Sequence, residues 1–157
     1  MKVKPTDKLA FDLMRPGAIT AQGFLGSDIR PPEEIIAEDE QAFSRLGLDF
    51  GAVADALDAL KEAGERGMGE PITVGKLLVQ VGDARGMLPC PYGDGLYHKN
   101  AVSVRPADLP QEACVEGEDM LVFSDISVHL LRVHHFCQGL GSPFRLEPEL
   151  LARLLTL

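Results

Sequence analysis

The stretch ITVGKLLVQV, residues 72–81, decides the fold, because the chain changes its hydrophobic period there. It is rich in β-branched residues and reads as a strand, bent at Gly75. Upstream, the period is helical. Residues 31–46, PPEEIIAEDEQAFSRL, open on prolines and acids and repeat apolar residues at Ile35, Ile36, Ala42, Phe43 and Leu46, with Gly47 as a stop. Asp49 is placed to cap a second helix, with its stripe at Val53, Leu57 and Leu60 and Gly67 past its end. Ala52, Ala56, Ala59 and Ala63 keep that helix slim, and the short connection predicts an antiparallel helical hairpin. A shorter helix, KLAFDLM, is expected before it, capped by Thr6 or Asp7, with an irregular loop over 18–30.

Downstream, HKNAVSVR (98–105) alternates, and MLVF (120–123) makes a third short strand. The segment 83–97 between the first two strands is dense in Gly and Pro, a composition of functional loops. A helix is expected from Ser124 or Asp125 to about Cys137, and a last one from Pro148. Helices, then strands, then helices predict an α+β domain. It has an N-terminal helical hairpin, a small, mostly antiparallel sheet of about three strands, and two C-terminal helices. A single domain over 1–157 is expected, mainly helical over 1–67, mainly strands over 68–123 and helical over 124–157.

Composition narrows the function classes. The chain of 157 residues carries a net charge of −9, and residues 28–70 hold twelve acids against four bases. With no basic stripe, neither nucleic-acid binding nor attachment to anionic membranes is expected. No stretch is apolar enough to span a membrane, and no apolar segment follows Lys2 and Lys4 as a secretory signal requires. Three cysteines without framework spacing predict free thiols in a reducing cytoplasm. Phosphate-loop, dinucleotide, nucleophile-elbow and EF-hand motifs are absent, so no cofactor is expected.

Three of the four histidines fall within SDISVHLLRVHHFC (124–137). On an ideal wheel His129 and His134 lie roughly 140° apart, with His135 on a third side. The i,i+4 spacing of helical zinc sites is missing, so no metal is expected there. Asp125 and His129 do share a stripe at i,i+4, an arrangement in which a carboxylate orients an imidazole for acid–base work. The second candidate is Cys90, held between two prolines near His98, as a nucleophile. The sequence-level candidates are therefore Cys90, His98, Asp125 and His129 for catalysis. Arg85, Tyr92, Ser124 and Arg145 are the candidates for holding a small anionic ligand, Arg145 by a bidentate clamp.

Two function classes follow. One is a non-catalytic domain that binds a small ligand or a protein. It would form a homodimer through its apolar helices, above all the one ending in ELLARLLTL. The other is a small enzyme whose Cys/His/Asp site lies where the 85–99 loop meets the start of the 125–137 helix.

Overall fold

The computed structural model describes residues 5–156, with side chains described from residue 8 onward. α1 already begins at Pro5, so Thr6 and Asp7 lie inside that helix rather than capping its start, which corrects the expected cap; Lys2, Lys4 and Leu157 lie outside the described residues. The element order is α1 (Pro5–Met14), α2 (Pro32–Leu46), α3 (Phe50–Glu65), β1 (Ile72–Val74), β2 (Leu77–Pro89), β3 (Leu96–Pro106), β4 (Leu121–Phe123), α4 (Asp125–His134) and α5 (Pro148–Leu155), with one 3-10 turn at Gln111–Ala113. The class is α+β, as the period change predicts.

The strands form a four-stranded antiparallel meander in the order β1-β2-β3-β4. The expected count of about three is corrected by one strand. ITVGKLLVQV is two strands rather than one bent strand: Val74 pairs with Leu77 across a two-residue turn. Gly75 takes φ +59 at the first turn position, the backbone that tight hairpins demand there. The expected long loop over 83–97 is also shorter than its composition implied. β2 runs to Pro89 and β3 begins at Leu96, so the connection contracts to residues 90–95. Inside this long hairpin the register slips between Asp83 and Met87, where residues 84–86 oppose Lys99 alone.

Local chemistry explains the helices. Asp49 accepts the Ala52 N–H at 2.8 Å and caps α3, while Gly47 ends α2 in the left-handed region. Gly64 lets α3 sit directly on β2. A Cβ there would lie 2.7 Å from Val79 Cγ1 and 2.9 Å from Val81 Cγ2. α3 packs on β2 and α4, while α2 packs on α5.

α4 begins where the Asn100 side-chain oxygen accepts the Asp125 N–H at 3.0 Å and Ser127 Oγ accepts the Ser124 N–H at 3.1 Å. It ends at His134, three residues before the expected stop, because His135 turns left-handed at φ +54. The Phe136 N–H then bonds back to the Leu130 carbonyl at 3.0 Å and the His135 N–H to the Leu131 carbonyl at 3.1 Å, which satisfies the carbonyls of the helix end.

The main core joins α3, the sheet, α4 and α5 around Leu57, Val79, Val102, Phe123, Leu131 and Leu151. Leu150, Leu151 and Leu154 of α5 are buried inside the chain itself. The apolar face that prompted the homodimer expectation is therefore spent on the core. A second cluster gathers Met14, Leu25, Ile35, Ile126, Leu130 and Phe136 around Cys90. No helix among the described residues is long and apolar enough to cross a membrane.

Candidate metal centre

The second cluster brings the hairpin tip against the end of α4. Residues 90–95 form a closed loop: the Cys90 N–H donates to the Gly95 carbonyl, and the Gly93 N–H donates back to the Cys90 carbonyl, both at 2.9 Å. Gly93 and Gly95 supply the positive φ that this turn needs. Pro89 and Pro91 flank Cys90, which is 3% exposed. The turn directs Cys90 and Asp94 to the same side, facing α4.

From α4 come His129 and His134. His129 Nε2 lies 2.9 Å from Asp94 Oδ1, and His134 Nε2 lies 2.7 Å from Asp94 Oδ2. Cys90 Sγ is 4.0 Å from His134 Nε2. The four donor atoms of Cys90, Asp94, His129 and His134 all fall within 4.8 Å of one another. Tyr97 stacks on the His129 ring with centroids 4.5 Å apart, and Tyr92 stacks on the His134 ring at 4.0 Å. The two imidazoles meet edge to face at 5.4 Å.

This geometry corrects the wheel argument for one pair of histidines. His129 and His134 diverge at their Cβ atoms, but each ring extends far enough for Nε2 to reach across the groove between them. Asp94 sits over that groove, presents one oxygen to each ring, and so closes the 140° gap. His135 follows the wheel instead: it leaves the site, bonds Glu40 at 3.0 Å and stacks on Phe50.

Burial and mutual hydrogen bonding set the electrostatics of the cluster. Burial, reinforced by the neighbouring Asp94 carboxylate, pushes the Cys90 thiol up to about 11. Burial pushes the Asp94 carboxyl up as well, but hydrogen bonds from Cys90, His129 and His134 outweigh it and hold the group well below the ordinary carboxylate range. Tyr97 is raised by burial and by the charges of Asp94 and Cys90.

The other sequence-level candidates disperse. Cys90 and His129 do come together, and Tyr92 joins them through its ring contact with His134. Asp125 does not orient His129; it takes the Lys61 ammonium at 2.5 Å. His98 is exposed on β3 and does not join the cluster of Cys90, Asp94, His129 and His134. Arg85 is exposed in the irregular part of β2. Ser124 is buried at the start of α4. Arg145 clamps a carboxylate, but that of Asp39, by two bonds of 3.0 and 2.9 Å, with Glu147 and the Gln138 carbonyl as further partners. Cys137 is fully buried, with its thiol raised by burial.

Asp94 and His134 are the two residues sequence reasoning missed. Their signals were a C-x-x-x-D spacing on a glycine turn and an H-x-x-x-x-H spacing at a helix end. Neither is a standard template, and only the fold joins them. No family model, curated protein or solved structure matches this chain.

Proposed function

We propose that this protein is a metal-binding protein whose site takes one divalent zinc ion through Cys90 Sγ, Asp94, His129 Nε2 and His134 Nε2. The observation that carries the reading is the convergence of these four donors, from two separate elements, within 4.8 Å. A tetrahedral zinc site has ligand atoms about 3.2–3.6 Å apart, given bonds of ~2.0–2.3 Å. The observed contacts of 2.7, 2.9 and 4.0 Å bracket that range, so the side chains need only small rotations. One sulfur, two imidazole nitrogens and one carboxylate form a borderline donor set that suits zinc and is poor for calcium or magnesium. The stacked tyrosines fix both rings, as supporting groups do around metal ligands.

The role that fits is structural. The ion ties the hairpin tip to the end of α4 and caps the second core cluster. Four protein ligands fill a tetrahedron, as in closed structural sites. A thiolate ligand also suits the reducing cytoplasm that the free thiols imply.

An enzymatic reading has one observation in its favour. A cleft of about 330 Å³, lined by Asp58, Tyr97, His129 and Arg132, opens beside the site. Asp94, with its side chain 37% exposed, is the ligand most open to exchange with water.

The experiment is metal analysis of the full chain purified without a histidine tag, followed by titration with zinc. One equivalent is expected, lost in Cys90→Ser and His134→Ala. Cobalt substitution should give the intense visible bands of a four-coordinate ion and a thiolate charge-transfer band. Absence of binding in the micromolar range, or binding unchanged in both variants, would sink the reading. A five-coordinate cobalt spectrum with ester hydrolysis would favour the enzyme instead.

A further inference from the structure

Away from the metal centre, a cavity of about 620 Å³ opens between the 20–24 segment, the middle of the β2–β3 hairpin, the start of α4 and the turn at 143–144. That volume lies within the roughly 300–1,000 Å³ of small-molecule sites. Its apolar wall is made by Phe24, Leu88, Ile126 and Phe144. At its rim it meets a second, more polar cavity, and both are lined by Gly82, Asp83, Ala84, Lys99 and Asn100.

Two groups at this junction lack protein partners. Lys99 enters no ion pair among the described residues. Asn100 is 8% exposed; its side-chain oxygen is committed to the Asp125 N–H. Because a backbone N–H must donate, that contact fixes the amide orientation and turns the Asn100 NH2 the other way. This NH2 has no protein acceptor among the described residues, yet it is not sealed from the cavity. A nine-tenths buried amide donor and a lysine without an ion pair, both lining the two joined cavities, call for an acceptor with negative charge that the long Lys99 side chain can reach.

We propose that this cavity binds a small monocarboxylate with an apolar body, its carboxylate at Lys99 and Asn100 and its body among Phe24, Leu88, Ile126 and Phe144. The remaining charges agree with a single negative head. Asp83 stands at the same rim and opposes a second one. In the adjoining cavity Lys61 is taken by Asp125 at 2.5 Å and Glu65 at 3.6 Å, so it offers no free charge. The site does not use any metal ligand, and it stands or falls independently of zinc.

Gly82 provides a clean test. A Cβ on it would meet no atom within 4 Å, and its backbone is not left-handed, so Gly82→Leu folds without strain and fills the mouth. Calorimetry on the full chain with decanoate, decanol, decylamine and decanedioate as probes reads the chemistry. Decanoate should bind tightest and decylamine least. Lys99→Gln should weaken decanoate by about tenfold, the worth of one charged hydrogen bond, and leave decanol unchanged. Gly82→Leu should abolish both, with its melting temperature reporting that it is folded. Binding of decylamine or decanedioate equal to decanoate, or decanoate binding that survives Gly82→Leu, or no binding of any probe, would overturn the inference.

Discussion

At the scale of single residues, Cys90 carries the most information. Burial and the neighbouring Asp94 raise its thiol to about 11, so at neutral pH the proton is on the sulfur. A zinc ligand must be the thiolate, and loading the site therefore releases that proton. The sign follows directly: below about pH 11 each unit of rising pH removes a competitor. Zinc affinity should rise about tenfold per unit above neutrality for one released proton. Calorimetry in two buffers of different ionisation enthalpy counts the protons, and a count of zero would exclude Cys90 as a ligand. Asp94→Asn provides the complementary case. It removes the carboxylate from the cluster and should cost at least the roughly 10–100-fold in zinc affinity that loss of a mere outer-shell partner costs, while leaving the fold intact because Asp94 is exposed.

At the scale of elements, the β2–β3 hairpin and α4 make the site only together, and neither reveals it alone. The helical wheel was sound for directions at Cβ, and it separated His135 from the others. It failed for His129 and His134 because a wheel has no partner in it, and Asp94 belongs to a loop 35 residues before His129 in the chain. The strand over 72–81 was legible from its β-branched residues. The turn inside it was not, because a glycine within a strand pattern reads equally as a bend or as a hairpin corner.

Packing between elements is testable at Gly64. Alanine there drives its methyl to 2.7 Å from Val79 Cγ1. Gly64→Ala should lose about 1–3 kcal/mol by overpacking, against the usual gain from replacing a helical glycine. The double variant with Val79→Ala should recover part of the loss. Denaturant unfolding of the cycle measures the coupling, and strict additivity would mean that α3 and β2 do not meet as described.

For the whole molecule, the decisive packing question is where α5 spends its leucines. Period and composition showed that this helix must bury one face; only the tertiary contacts show that the face is covered by α3 and α2 of the same chain. Leu151→Ala should therefore cost about 2–5 kcal/mol in unfolding free energy, with no dependence on protein concentration. Light scattering at the same concentrations is expected to give the mass of one chain. A midpoint that shifts with concentration would return α5 to an intersubunit role.

Long-range closure of the fold rests on another residue that sequence patterns pass over. Asp28 has a side chain only 3% exposed, and it accepts bonds from Arg30 Nε and Nη2 at 3.0 and 2.8 Å and from the Leu140 N–H at 3.1 Å. It thus joins the 24–30 segment to the loop between α4 and α5, which is also fastened to α2 by the Arg145–Asp39 pair. The Arg30 hydrogen bonds lower its carboxyl from 3.8 to about 2, against the opposing effect of burial. A depressed carboxyl stabilises the folded state only while it is ionised in that state. Its contribution, about 2 kcal/mol, is complete above the unfolded value and disappears as pH falls through about 2. Asp28→Asn should accordingly lower unfolding free energy by that amount at pH 7, and the gap between variant and parent should narrow from pH 4 downward and close near pH 2. Urea titrations at stepped pH on both proteins trace this difference. A gap constant from pH 7 to pH 2 would assign the loss to packing rather than to the charge on Asp28.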